Sequence, residues 1–97
     1  MNKLRRANQV IREVCETMGE PVDRVLSRLE WHRLTEIRQV ICYILVRKIG
    51  YSFLFTAIVT KRGSVEVVRA STYKTERRME VDKPFAEMVN KIYSKVV

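Results

Sequence analysis

The run Lys61-Arg62-Gly63-Ser64-Val65-Glu66 carries the residue types best placed to do chemistry in this chain. Two cations stand before a glycine, and a hydroxyl residue then opens a segment that can be helical. Cations at a helix start suit a phosphate, because the unpaired backbone N–H groups at that end favour an anion as well. Side chains in the first helical turn would reach base edges in a major groove. There Ser64 can donate or accept, Val65 can touch a thymine methyl, and Glu66 can accept from a cytosine amino group. The same residues also have structural roles open to them: Ser64 as an N-cap and Glu66 as an acid favoured by the helix dipole. Arg69, further along, either reaches a phosphate or joins a solvated face with Tyr73 and Arg77.

Other chemistries find less to work with. A nucleophile–base pair would need His32 beside Cys15 or Cys42, yet both cysteines fall among apolar neighbours on helical patterns. They are expected to be free, buried thiols, and no catalytic activity is expected. Two Cys and one His cannot assemble the usual four-ligand zinc site. No G-x-x-x-x-G-K-[ST] loop is present, so neither nucleotide nor any other cofactor is expected. The longest apolar run, Val40 to Val46, is far too short to span a bilayer, and no apolar signal segment follows the basic N-terminus. A cytoplasmic protein without membrane contact is the expectation. Nineteen Lys and Arg against eleven Asp and Glu leave a net charge of +8 on 97 residues, which favours a polyanionic partner.

The elements that must position these residues follow from apolar spacing. Ala7, Ile11, Val14, Cys15 and Met18 predict a helix over Lys3 to Met18, ended by Gly19. Pro21 opens a short second helix with Val22, Val25 and Leu26, and Ser27 to Arg33 reads as a loop. Thr35 to Ile49 is apolar nearly all round, which predicts a central helix. Phe85, Met88, Val89, Ile92 and Val96 trace a last helix from about Lys83. Between these, Phe53 to Thr60 and Val65 to Val68 also suit a β-hairpin turning at Gly63, being rich in β-branched and aromatic residues. The competing assignment is two helices, Ser52 to Val59 and Val65 to about Glu80, around the basic break: a helix-turn-helix. No repeat or linker appears, so residues 1–97 read as one domain.

The strings RQVICYI (from Arg38) and TKRGSVEVVRA (from Thr60) favour the helical assignment. They resemble, without a gap, the C-terminal DNA-binding domain of the bacterial chromosomal replication initiator family, DnaA. That family reads roughly R-Q-[VI]-A-M-Y-L at the first place and G-[RK]-D-H-[STA]-T-V-x-H-[AS] at the second. The stretch Ile11 to Arg28 is similar to the family's entry, and Val81 to Phe85 to the turn before its last helix. The resemblance implies an all-α domain of about six helices containing a helix-turn-helix. It also implies a basic loop that enters a minor groove, matched by Arg28, His32 and Arg33 but interrupted here by Glu30, Trp31 and Glu36. Trp31 beside a small core is expected to pack, with stacking on a sugar as the other role. The matched Arg38 and Gln39 inherit a phosphate contact from the first turn of the central helix, and Arg62 matches the family's basic position.

Where the family carries Asp-His-x-Thr, this chain has Gly63, Ser64, Val65 and Glu66. Its preferred site is therefore not expected to be the family's DNA box. The expected function is double-stranded DNA binding by a small regulator of replication or transcription that lacks an ATPase. A second copy or another protein is a further expected partner, since one protomer reads few base pairs. The alternative is a protein-interaction module that keeps the fold without the readout, displaying Phe53, Phe55 and Trp31.

Overall fold

Asn2 opens the first helix: its side-chain oxygen accepts from the Arg5 N–H at 2.8 Å, and α1 runs over Lys3–Met18 to Gly19, as the spacing predicts. This computed structural model describes residues 2–97. The short α2 (Val22–Val25) follows Pro21. The central helix α3 (His32–Tyr43) starts at His32 rather than Thr35, and it continues into a π-helical turn over Ile44–Ile49. Gly50 closes that turn at φ 93°, a left-handed conformation open to glycine, and the Tyr51 N–H then reaches the Leu45 carbonyl at 2.9 Å. Next come α4 (Phe53–Val59), α5 (Val65–Val81) and α6 (Lys83–Val96).

The described residues contain helices and no strand, so the protein is all-α and the hairpin assignment fails. Local chemistry explains why. The hydroxyl of Ser52 accepts from the Phe55 N–H at 3.0 Å and starts α4. Ser64 accepts from the Glu66 and Val67 N–H groups at 3.2 and 3.4 Å and starts α5. Asp82 does the same for α6, accepting from Phe85 N–H at 3.1 Å, with Pro84 in the first turn where its missing donor costs nothing.

The main core joins α1, α3 and α6 through side chains such as Ile11, Val14, Ile37, Ile41, Ile44, Val89 and Ile92. Each such burial contributes about 2 kcal/mol before conformational entropy is counted. Free Cys15 and Cys42 are both buried. Cys42 belongs to a smaller cluster with Ala57 and Val68, which seats α4 and α5 on α3. Here α5 presents Val68, Ser71, Thr72 and Thr75, a stripe of small residues that lets it approach α3 closely. Thr72 and Thr75 donate their hydroxyls to the Val68 and Ser71 carbonyls of their own helix, at 2.9 and 3.0 Å. A polar face is thereby made compatible with burial.

Candidate nucleic-acid interface

The turn between α4 and α5 is held by its own backbone. Lys61 N–H donates to Ile58 at 3.2 Å and Arg62 N–H to Ala57 at 3.0 Å, the paired bonds that close a helix when the next residue turns left-handed. That residue is Lys61 at φ 56°, where glycine would be the unstrained choice; Gly63 follows at φ 73°. The cost to a lysine is about 1 kcal/mol. Lys61 is exposed and shares a groove with Ser64 and Val65 at the start of α5. In that turn Ser64 and Val65 are half-buried and Glu66 is exposed.

Arg62 does not extend into solvent with Lys61. Its Nε donates to the Thr60 carbonyl at 3.1 Å and its Nη2 to the Ser27 carbonyl at 2.9 Å. Arg38 converges on the same place. Its Nε donates to the Val25 carbonyl at 2.7 Å and its Nη2 to the Ser27 carbonyl at 2.9 Å, with only 4% of the residue exposed. Sequence places Arg38 in a first helical turn, free for phosphate. The earlier start of α3 puts it further along, aimed inward at the end of α2. Burial lowers the Arg38 pKa, the adjacent Arg62 charge lowers it further, and Glu30 opposes both. Among the described residues neither guanidinium has a carboxylate within ion-pair distance. Together they line a cavity of about 220 Å³ with Glu30, Thr35, Val67 and Ser71.

The remaining sequence candidates divide. Arg28 and His32 are exposed on the α2–α3 loop and at the start of α3, and Gln39 is half-buried. Arg33 donates to the Met18 carbonyl and so serves the C-terminal end of α1, apart from the α4–α5 turn. Arg69 is engaged: its Nη1 meets both carboxylate oxygens of Glu66 at 2.8 and 2.9 Å, and its guanidinium lies 5.1 Å from the Phe53 ring centre. The structure thus groups Lys61, Arg62, Ser64, Val65 and Glu66 around one turn, and couples Arg38 to them through Ser27.

Several features escape the sequence reading. Trp31, expected to pack, is 53% exposed. Phe53 and Phe55, offered as exposed aromatics, are half-buried against the core clusters. The outward residues of α4 are instead Leu54 and Ile58, at 61% and 65% exposure. With Ala57, Lys61 and Val65 they border a groove of about 330 Å³. Thr56 and Thr60 are turned inward beside Ala57, so hydroxyl residues share the buried face of this segment with apolar ones. Among the described residues, no His, Cys, Asp and Glu side chains gather in a group fit for a metal ion, and no helix is long and apolar enough to cross a membrane. The chain matches no protein family, curated protein or solved structure among those with which it was compared.

Proposed function

We propose that the protein binds double-stranded DNA through a helix-turn-helix formed by α4 and α5, as a small regulator of replication or transcription without an ATPase of its own. The observation that carries this reading is the α4–α5 turn. A strained, exposed lysine and a capped helix start stand together on a chain of net charge +8. Strain retained at an exposed cation is a common mark of a functional position. The replication-initiator pattern has glycine where Lys61 stands, and the left-handed backbone there is what such a pattern requires.

In this reading Lys61 and Arg28 neutralise phosphates, and Ser64, Val65 and Glu66 meet base edges. Arg62 and Arg38 act chiefly by holding the α2–α3 loop against the turn, since each gives its Nη2 to the Ser27 carbonyl and its Nε to another carbonyl. Selection from a random duplex pool tests the assignment. Glu66→Thr is expected to change the winning sequence and Lys61→Ala to weaken every duplex alike. An unchanged winner together with unchanged affinity would contradict it.

A second reading has its own observation: the Leu54–Ile58–Val65 groove suits an apolar side chain of a partner protein. Ile58→Asp would then abolish partner binding and leave duplex binding intact, whereas Lys61→Ala would do the reverse.

A further inference from the structure

The loop from Ser27 to Trp31 is exposed at its tip and fixed at its root. Arg38 and Arg62 both donate to the Ser27 carbonyl, and Arg38 also holds the Val25 carbonyl. The Ser27 hydroxyl donates to the Arg24 carbonyl at 2.6 Å and accepts from the Leu29 N–H at 3.2 Å. The root of the loop is therefore ordered before any ligand arrives, which lowers the entropy cost of binding beside it.

This fixed loop displays Trp31, the chain's one tryptophan, with 53% of its surface open. The Arg24 guanidinium lies 5.4 Å from the Trp31 ring centre, a cation–π contact. Leu29 is exposed nearby, and Arg28 is exposed on the same loop. Tryptophan is usually well buried, so an open ring on a rigid mount calls for a partner. The side chain also has no capping duty: Trp31 precedes α3 without a side-chain hydrogen bond to it.

We propose that this loop is a stacking platform for an unpaired base of single-stranded nucleic acid. The open part of the Trp31 ring takes the base and Arg28 takes a flanking phosphate, while Arg24, paired with Glu20 at 3.2 Å, supports the ring. An aromatic surface within a cationic rim is the combination that grips a single strand, because every base has a π-face and every linkage a negative charge. A lipid surface fits less well. Only Leu29 and Trp31 would enter it, with the carboxylate of Glu30 between them. The inference goes beyond the duplex reading, since a paired base offers no free face.

The single tryptophan makes the test direct. The intact protein is titrated with an oligothymidylate of about 12 nucleotides, with a random-sequence duplex, and with phosphatidylglycerol vesicles, while Trp31 emission and labelled-strand anisotropy are followed. The expected result is saturable quenching of Trp31 by the oligothymidylate. Trp31→Ala should weaken its binding about ten-fold, with Trp31→Phe retaining most of the affinity. Circular dichroism and duplex affinity should be unchanged in both variants. Oligothymidylate binding with unaltered Trp31 emission and no loss in Trp31→Ala would overturn the platform while leaving the duplex reading standing. An emission shift with vesicles alone would overturn it in favour of a lipid surface. Failure of the oligothymidylate to bind would overturn it whatever the duplex does.

Discussion

Arg38 and Arg62 donate to one acceptor: the Nη2 of each lies 2.9 Å from the Ser27 carbonyl oxygen. One side chain comes from the central helix and the other from the α4–α5 turn, so that carbonyl joins the α2–α3 loop to both. Like charges are thereby brought together with, among the described residues, no carboxylate in ion-pair distance, and the Arg62 charge helps to lower the Arg38 pKa. Removing Arg38 (as Arg38→Met) should cost about 3 kcal/mol, because two charge-assisted bonds to buried carbonyls go. Arg62→Ala should cost about 1 kcal/mol. Either single variant leaves Ser27 one donor and relieves the repulsion, so the double variant should lose more than the sum by about 0.5–1 kcal/mol. Urea unfolding of the four proteins checks this; strict additivity would contradict a shared acceptor.

Lys61 is the residue at which stability and binding should part. Lys61→Gly removes the strain at φ 56° and should raise unfolding stability by about 1 kcal/mol. The same change removes an exposed cation, so affinity for every duplex should fall and the salt slope shrink by about one. Thermal melting and duplex titration of one variant measure both. A less stable Lys61→Gly protein would mean that the lysine side chain serves the fold.

Thr56 offers a stabilising change away from the interface. Its hydroxyl oxygen is buried with no hydrogen-bond partner among the described residues, and the residue is fully buried. Thr56→Val keeps the shape and removes the unpaired polar atom, so stability should rise by about 1 kcal/mol. A fall in melting temperature would show that the hydroxyl has a partner.

The buried thiols set an alkaline limit. Burial pushes Cys15 up to about 11 and Cys42 up to about 12, from 9.0, and Tyr43 is raised by burial and then by Glu76. A raised pKa means that the folded state keeps protons the unfolded chain has released. The stabilising contribution is complete below pH 9.0 and declines as pH rises toward the folded values. Stability should be level from pH 7 to pH 8 and fall by pH 10, with a shallower fall in Cys42→Ala. Equal stability at pH 8 and pH 10 would contradict this burial of the thiols.

Much of this architecture is legible in the sequence where apolar residues repeat at helical spacing, as in Ala7 to Met18 and Phe85 to Val96. The α4–α5 segment is harder because the period is carried by polar residues. Val68, Ser71, Thr72, Thr75 and Met79 form the inward stripe of α5, and three of these five are hydroxyl residues. Counting small polar residues as possible core would have favoured helix over hairpin there. The Ser27 contact was out of reach for a different reason. Its acceptor is a backbone carbonyl, which no residue letter reports, and it joins positions 35 residues apart. Arg62 and Arg38 were therefore identifiable as important cations, but their engagement with the loop was not.

In the proposed function, the exposed cations around the α4–α5 turn and the α2–α3 loop form a DNA surface. Fluorescence anisotropy of a labelled random-sequence duplex, titrated with protein across a salt series, tests it most directly. Binding should weaken with salt, with a logarithmic slope of about −2, roughly −0.9 for each of the phosphates met by Lys61 and Arg28. Absence of binding at low salt, or affinity indifferent to salt, would contradict it and leave the +8 charge as a solvated shell.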